Sequence, residues 1–381
     1  MKKMKISSVI AMPLSYPVPE ENQIRLGTGK MVKRDAVVVR VEADGFVGYG
    51  EAHHAYAPRT IANLINDTLS ELVVGQDPFA IEDLWFSLYR QHVASHGTGT
   101  AAVIAISGIE IAILDLIGKA LGIPLYKYLG GKKKKIRAYA GGLSLGWQEP
   151  EQLVDEVSKY MEMGYSAIKL RGGDRNNNDL RRAVKVREKV GDKVDLMIDA
   201  NTRYTLGQAH YAIREFERLG FLWLEEPFTP DANEEMALLN RMTSVLIAAG
   251  ENHYTRYEFR KLLTAGAIGV VQADCTKAGG ILECKKIAEM ADAFHVLMAP
   301  HTSQTALSTA ATIHLLCSIP NAWFYEADLM MGNPYRDLLV ENPLKVEGGL
   351  IEPNDEPGLG VHVREEFFDQ YPAIDGPCYV I

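Results

Sequence analysis

Eight short apolar runs follow one another between residues 136 and 326, and amphipathic helical stretches separate them. Their starts lie roughly 23 to 31 residues apart, which is the length of one strand followed by one helix. Eight such units are enough to close a parallel barrel. A doubly wound open sheet is the alternative, but no glycine-rich phosphate-binding turn follows the first run. The pattern therefore favours an α/β barrel whose strands are residues 136–141, 167–170, 194–199, 221–225, 245–250, 269–273, 296–300 and 322–326.

The N-terminal part of the chain has a different pattern. Two strand-like segments flank the turn signal Asp44-Gly45, and apolar residues then recur at helical spacing from Arg59 to Lys119. Strands followed by helices, without alternation, predict an α+β unit. The tail is rich in Pro and Gly, and we expect it to return to this unit. We therefore predict an α+β domain, a barrel and a tail at residues 1–130, 131–333 and 334–381.

Charge and hydropathy exclude several kinds of partner. The net charge is −9, whereas a nucleic-acid surface needs clustered Lys and Arg. The one basic run, residues 132–135, follows two glycines and is interpreted as a solvated loop. No uninterrupted apolar run reaches the roughly 18 residues that a membrane span needs. We expect no nucleic-acid or membrane partner.

The cysteines and the N-terminus indicate the compartment. The four cysteines show no CxxC spacing and lie in apolar or mixed surroundings, which predicts buried free thiols in a reducing environment. The first residues alternate and run into Pro13, which is typical of a strand and not of a signal peptide. We therefore expect a cytoplasmic protein.

Acidic residues end three successive predicted strands. The carboxyl ends of barrel strands meet at one mouth, so Asp199, Glu225 and Glu251 are expected to converge there. Three converging carboxylates repel one another unless a cation lies among them, and hard oxygen ligands suit Mg²⁺. One such acid alone is most simply an exposed loop residue, but three in register are not. Strand alternation predicts that Glu226 points away from Glu225, so we interpret it as structural or as a residue that supports the metal ligands from behind.

Basic side chains end two further strands. Lys169 and Arg171 are two residues apart on one strand and so point the same way, and a buried lysine there needs an anionic partner. That partner is a substrate carboxylate or the acids at the metal. His301 and Asp274 end neighbouring strands, so a hydrogen bond between them is expected, and it would set the tautomer of the histidine and raise its basicity.

The stretches that carry these residues resemble the enolase superfamily, and within it the mandelate racemase-like subgroup of the mandelate racemase and muconate lactonizing enzyme family. They are VGYGEA, AIKLRGG, LMIDAN, WLEEP, AAGEN, QADCTKAGG, MAPHTS and FYEAD, in the order of the family. The resemblance implies a (β/α)₇β TIM-like barrel under an α+β capping domain built from the N-terminus and the tail. It also implies a homo-oligomer, although no residue sets the number of subunits.

The resemblance also implies the role of each residue at the barrel mouth. Asp199, Glu225 and Glu251 would be Mg²⁺ ligands, Asp274 and His301 the general-base dyad, and Glu326 a partner of the substrate carboxylate. The sixth-strand Asp274 places the chain in the racemase-like branch, because the muconate-cycloisomerase-like branch has a lysine there. Lys277, just beyond it, is interpreted as structural.

One residue departs from the racemase-like pattern. That pattern has Lys-x-Lys on the second strand, with the second lysine as a base, whereas this chain has Arg171 there. A guanidinium with a pKa above about 12 cannot readily act as a base, so two-base racemisation is disfavoured.

The predicted chemistry is removal of the proton next to a carboxylate. His301 would be the base, and loss of a β-hydroxyl from a sugar acid would give a 2-keto-3-deoxy acid, with Lys169 or Arg171 assisting. Cycloisomerisation of a sugar-acid lactone shares the first step, and racemisation or epimerisation is a further alternative. Arg171 is equally able to bind a second carboxylate of a diacid. A metal-dependent hydrolase and a non-catalytic binding protein are the alternatives from other classes.

Loop residues rich in hydrogen-bond donors are the candidates for substrate binding. Asn201 and His253 flank metal-ligand candidates, and the others are loop or strand residues of the N-terminal domain. The full set is Arg25, Lys30, His53, His54, His96, Asn201 and His253. Their donors fit a polyhydroxy acid better than an aromatic one.

Overall fold

The computed structural model describes residues 4–302 and 305–381. The N-terminal domain contains an antiparallel sheet in the order β1-β4-β5, and Asp44 and Gly45 form the predicted turn between the last two strands. A small second sheet holds β2 and β3. The strands are β1 (Ile6–Pro17), β2 (Arg25–Leu26), β3 (Gly29–Met31), β4 (Lys33–Ala43) and β5 (Phe46–Ala52).

Five helices follow these strands. A π-helical turn, Ile65–Leu69, joins the first two, so the predicted helical stretch is interrupted several times. The helices are α1 (Pro58–Leu64), α2 (Ser70–Val73), α3 (Ile81–His92), α4 (Thr100–Leu121) and α5 (Leu125–Tyr128), and short 3₁₀ turns lie at Glu20–Asn22 and Pro78–Ala80.

Helix α4 packs directly on β5, because two glycines of that strand let the backbones approach. A Cβ on Gly48 would lie 2.0 Å from the carbonyl oxygen of Ala112, and one on Gly50 would lie 2.4 Å from that of Gly108. Among the described residues, α4 is the one helix whose length and composition would allow it to cross a membrane, but 94% of its apolar window is buried. A helix that is apolar on all sides and buried is typical of a protein core.

The eight predicted strands form a parallel barrel, as expected. Neighbouring strands pair in sequence order, β13 pairs with β6, and a bridge between Met298 and Ala322 joins β12 to the segment before β13. The strands are β6 (Ile136–Gly141), β7 (Ala167–Arg171), β8 (Asp195–Asp199), β9 (Phe221–Glu225), β10 (Leu246–Ala249), β11 (Val270–Val271), β12 (Leu297–Met298) and β13 (Phe324–Asp328).

Among the residues that the structure describes, seven helices surround the barrel, one between each strand and the next, which gives the predicted (β/α)₇β order. They are α6 (Pro150–Glu162), α7 (Asn176–Val190), α8 (Leu206–Arg218), α9 (Asn233–Asn240), α10 (Thr255–Ala265), α11 (Ile281–Ala293) and α12 (Ala306–Leu316), with a 3₁₀ turn at Gly191–Lys193. Residues 132–135 lie in a loop, as predicted. All four cysteines are free and buried, also as predicted.

The C-terminal tail contacts both the barrel and the N-terminal domain. It contains α13 (Pro334–Asp337), β14 (Leu350–Ile351), α14 (Phe367–Gln370) and β15 (Tyr379–Val380). Strand β14 pairs with β6 of the barrel, and β15 pairs with β3 of the N-terminal domain. The domain boundaries at residues 130 and 333 stay predictions.

Candidate active site

One buried side chain from each barrel strand fills the barrel interior. These side chains are Tyr139, Ala167, Met197, Trp223, Ala248, Val270, Ala299 and Phe324. Because side chains along a strand repeat every two residues, the residue two positions later faces the same interior, one layer nearer the mouth. Six of the residues in this second layer are polar: Lys169, Asp199, Glu225, Gln272, His301 and Glu326. Strand geometry therefore brings together residues from six strands, and Gln272 was not among those predicted.

Lys169 lies between two carboxylates. Its Nζ is 2.5 Å from Glu225 Oε1 and 2.8 Å from Glu326 Oε1, and all three side chains are buried. Although burial alone would raise the pKa of Glu326, the positive charges of Lys169, His301 and Arg171 lower it to about 2. Burial would lower the pKa of Lys169, but the carboxylates raise it. Lys169 is therefore charged at neutral pH.

The other oxygen of Glu225 is also bound. Its Oε2 accepts hydrogen bonds from Gln272 Nε2 at 2.6 Å and from Trp223 Nε1 at 3.2 Å. Burial raises the pKa of Glu225. Nearby carboxylates raise it further, and the positive charge of Lys169 only partly offsets these two effects.

Arg171 contacts the first predicted metal ligand. It donates to Asp199 Oδ2 and to the carbonyl oxygen of Gly142, while the backbone N–H of Asn201 donates to Asp199 Oδ1 at 2.7 Å. Burial would lower the pKa of Arg171, but the acids around it, Asp199 foremost, raise it, so the guanidinium stays charged.

The predicted hydrogen bond between His301 and Asp274 is present. His301 Nδ1 lies 2.7 Å from Asp274 Oδ2, and His301 Nε2 lies 3.0 Å from Glu251 Oε2. Burial would lower the pKa of His301, but Glu251 and Asp274 raise it to about 9. Asp274 binds Nδ1 and Glu251 binds Nε2, so the imidazole is charged at neutral pH while Glu251 carries no cation.

Glu226 was expected to point away from Glu225, and to be structural or to support the metal ligands from behind, and it faces the site. It lies in the wall of the cavity above the barrel mouth, and Asn252 Nδ2 donates to its Oε2 at 2.8 Å. The reason is that β9 ends at Glu225 and Glu226 has a φ of 38°, so strand alternation no longer applies. Lys277, which was interpreted as structural, also lines the cavity and donates to Asn252 Oδ1 at 3.2 Å.

The acidic cluster fits a hard divalent cation. Asp199, Glu225 and Glu251 act on one another as like charges: Glu251 raises the pKa of Asp199, and both raise the pKa of Glu225. Glu251 and Asp199 likewise raise the pKa of Glu226 beyond the effect of burial. Carboxylate oxygens are the ligands that Mg²⁺ prefers, so these acids have the donor chemistry of a magnesium site, while Lys169 and Arg171 contact Glu225 and Asp199 in this structure.

A cavity of about 410 Å³ lies between the barrel mouth, the N-terminal domain and the tail. The predicted residues that line it are Arg171, Glu251 and His301, together with the substrate-binding candidates His53, His54 and Asn201. The lining residues that the sequence analysis did not name include Arg34, Tyr56, Tyr254, Thr302, Asp328 and Tyr379. The sequence signal for Tyr56 is its position two residues after the predicted His54, in the same loop.

Four predicted substrate-binding residues are not among the described residues that line this cavity: Arg25, Lys30, His96 and His253. Arg25 and His96 are exposed, and Lys30 lies on β3, which pairs with the tail. His253 is buried, with Nε2 3.1 Å from the carbonyl oxygen of Pro230. Ser303, the last residue of the MAPHTS stretch, lies outside the described residues.

Family profiles match almost the whole chain. The profile described as "Mandelate racemase / muconate lactonizing enzyme, N-terminal domain" matches residues 11–130, and "Enolase C-terminal domain-like" matches residues 152–367. The arabinonate dehydratase of Saccharolobus solfataricus is 34% identical over 88% of this chain and 90% of its own length. The D-galactonate dehydratase of Pectobacterium atrosepticum is 33% identical over 86% of this chain and 88% of its own.

Solved structures share the fold along the whole chain. An enolase superfamily member from Polaromonas sp. JS666 is 43% identical, with a TM-score of 0.96 over 99% of this chain and 100% of that one. The 3,6-anhydro-D-galactonate cycloisomerase of Zobellia galactanivorans is 30% identical, with a TM-score of 0.86 over 96% and 99%. A racemase from Streptomyces coelicolor A3(2), solved with bound magnesium, is 28% identical, with a TM-score of 0.87 over 96% and 99%.

Proposed function

Because the chain belongs to the mandelate racemase and muconate lactonizing enzyme family of the enolase superfamily, we propose that it is a Mg²⁺-dependent hydro-lyase that removes water from a sugar acid. The observation that carries this proposal is the pair Asp274–His301, 2.7 Å apart, at the edge of a cavity that also contains Arg171 and Glu251. The dehydratase relatives, similar over most of their length, support the reaction class.

The carboxylates would hold the cation. Asp199, Glu225 and Glu251 are the proposed Mg²⁺ ligands, and Glu226 is close enough to add to their negative charge. Bound there, Mg²⁺ would stabilise negative charge that develops on the substrate carboxylate. Lys169 and Arg171 would add two positive charges beside the same position, and neither needs to move because Glu225, Glu326 and Asp199 hold them.

His301 would perform the proton transfer. Once Glu251 binds a cation, the largest cause of the raised pKa of His301 is removed, and Nε2 of the neutral ring would then take the α-proton. The electron pair of the C–H bond forms a double bond to the carboxylate carbon, whose C=O pair moves to oxygen. When this pair returns and forms a double bond between the α- and β-carbons, the C–O bond to the β-hydroxyl breaks, and the proton on Nε2 leaves with that oxygen as water. The resulting enol rearranges to a 2-keto-3-deoxy acid. Asp274 keeps Nδ1 protonated, so Nε2 is the basic nitrogen throughout.

The polar character of the cavity supports a polyhydroxy acid. Asn201, Thr302 and the histidine pair His53 and His54 line it, and Tyr56 adds a phenol. A diacid whose second carboxylate binds near Arg171 remains part of the proposal. The cytoplasmic location and the homo-oligomeric state stay predictions.

The test is a screen of sugar acids, diacids and their lactones with Mg²⁺. Semicarbazide detects 2-keto products, and proton NMR in D₂O detects exchange at the α-carbon. We expect a 2-keto product that is lost in His301→Asn and kept in His96→Asn, whose exposed imidazole lies outside the cavity wall. Turnover that survives in His301→Asn would refute the base assignment.

Two other outcomes would change the reaction class. Consumption of a lactone without a 2-keto product would indicate a cycloisomerase, the activity in the name of the Zobellia galactanivorans neighbour. Deuterium at the α-carbon without elimination would indicate an epimerase. No reaction or exchange with any compound would count against the whole proposal.

A further inference from the structure

The loop at residues 53–56 has an unusual backbone. Ala55 and Tyr56 are consecutive non-glycine residues with φ of 47° and 56°. Side chains rarely adopt this left-handed region, and such conformations persist only where the surroundings hold them. Two ring nitrogens contribute: His53 Nδ1 accepts the N–H of Ala55, and His54 Nδ1 accepts the N–H of Tyr56, both at 3.0 Å.

Tyr379, on strand β15, contacts the tip of this loop. Its ring meets the ring of Tyr56 edge to face, with centroids 5.6 Å apart and planes at 85°. Tyr56 also meets His54 at 5.4 Å, and His54 stacks on His53 at 4.3 Å. These four rings form one aromatic cluster, and all four residues line the cavity. The Tyr56 residue is 55% exposed.

Backbone pairing and hydrogen bonds fix the strand that carries Tyr379 to the N-terminal domain. Strand β15 is antiparallel to β3, and Tyr379 lies opposite Met31. The thiol of Cys378 donates to Asp35 Oδ2 at 3.0 Å, and the N–H of Val32 donates to the carbonyl oxygen of Cys378 at 2.9 Å. The ligand-type atoms of Asp35, His54 and Cys378 all lie within 4.8 Å of one another, so this anchor also touches the base of the loop.

We propose that Tyr379 is a positioning residue for substrate binding. It holds Tyr56 and the loop at residues 53–56 over the cavity, so the C-terminal strand completes the wall that contacts the part of the sugar acid remote from its carboxylate. The carboxylate end would lie deeper, at Lys169 and the metal ligands. This inference rests on the proposed function for the identity of the ligand, but not for the mechanical role of Tyr379.

Hydrogen exchange tests the mechanical role without any substrate. In Tyr379→Ala we expect the backbone amides of Ala55 and Tyr56 to exchange about tenfold faster or more, because their ordered loop opens more often. Tyr379→Phe keeps the ring edge and should keep the protection. Tyr379→Leu keeps much of the volume without an aromatic edge, and it serves if the alanine variant unfolds. Val380→Ala is the matched control, since the neighbouring residue on the strand points the other way.

Kinetics with the best sugar acid from the screen test the role in binding. We expect Tyr379→Ala to raise KM about tenfold while kcat changes by less than about threefold, because the reacting groups are untouched. Val380→Ala should leave both constants unchanged. Equal amide protection in wild type and Tyr379→Ala, or a loss confined to kcat, would overturn the inference. If wild type turns over no sugar acid, the proposed function fails, but the exchange experiment still decides whether Tyr379 holds the loop.

Discussion

His301 Nδ1 and Asp274 Oδ2, at the ends of neighbouring strands, are 2.7 Å apart, and the other oxygen of Asp274 is bound as well. Both the N–H and the hydroxyl of Thr276 donate to Asp274 Oδ1 at 2.7 Å. Burial would raise the pKa of Asp274, but these bonds and the charges of His301 and Lys277 lower it. The carboxylate is therefore ionised and fixed in orientation.

Asp274→Asn should reduce kcat strongly with little effect on the fold. The amide cannot stabilise a positively charged imidazole and can favour the wrong tautomer, and comparable changes in other His–Asp pairs cost about 10²–10⁴ in rate. Steady-state kinetics and thermal unfolding measure the two effects. Thr276→Ser is the control, because it keeps the hydroxyl that orients Asp274. A kcat within a factor of about two of wild type would show that the pair does not act as a dyad.

Lys169→Met should destabilise the protein. It leaves Glu225 and Glu326 buried without their cation, and breaking a buried ion pair from one side costs about 3–5 kcal/mol. Urea unfolding of Lys169→Met, Glu326→Gln and the double variant measures the coupling. We expect the double variant to lose about 0.5–3 kcal/mol less than the sum of the single variants. Simple additivity would mean that the 2.8 Å contact contributes no pairwise energy.

Mg²⁺ should raise the unfolding temperature in a saturable way. A ligand that binds only the folded state adds about 2.7 kcal/mol to the free energy of unfolding when its concentration is a hundred times its Kd. Here the cation would also relieve the repulsion among Asp199, Glu225 and Glu251. Scanning calorimetry with increasing MgCl₂, at ionic strength matched with KCl, measures this. Glu251→Gln should shift the curve to higher Mg²⁺. Identical curves for MgCl₂ and KCl would argue against a cation site at these carboxylates.

His314 should make stability depend on pH. The ring is fully buried, its Nδ1 accepts the N–H of Tyr126 at 3.0 Å, and its Nε2 lies 3.1 Å from the carbonyl oxygen of Leu359. Burial lowers its pKa to about 4, and the hydrogen bond to Leu359 only partly offsets this. As pH falls below about 6.5, the unfolded chain binds a proton that the folded protein does not, so the stability from neutral His314 is lost between about pH 6.5 and 4.

The measurement is the free energy of unfolding of wild type and His314→Gln between pH 8 and 4. Glutamine can accept and donate similar hydrogen bonds but does not titrate. We expect the wild type to lose up to about 1.4 kcal/mol per pH unit more than the variant in that window. Parallel curves would show that His314 does not set the acid sensitivity.

The barrel and the residues that face its mouth could be predicted from the amino-acid pattern alone. Strand spacing predicted eight parallel strands, and the two-residue period of a strand is enough to place Lys169, Asp199 and His301 in one layer. The hydrogen bond between His301 and Asp274 was predictable for the same reason, since adjacent parallel strands end side by side. Strands are regular structures whose geometry repeats, so a local pattern is enough to predict which side chains lie next to one another.

The rest of the cavity depends on contacts between segments that are distant along the chain. Glu226 enters it because the strand has ended and its backbone turns left-handed, which no alternation rule covers. Tyr379 lies more than 300 residues from Tyr56 along the chain, and the two rings meet only because β15 pairs with β3. Loop residues such as His96 and Arg25 have the right chemistry but face elsewhere. The contacts of irregular segments depend on the path of the whole chain, and the local spacing of residues does not predict that path.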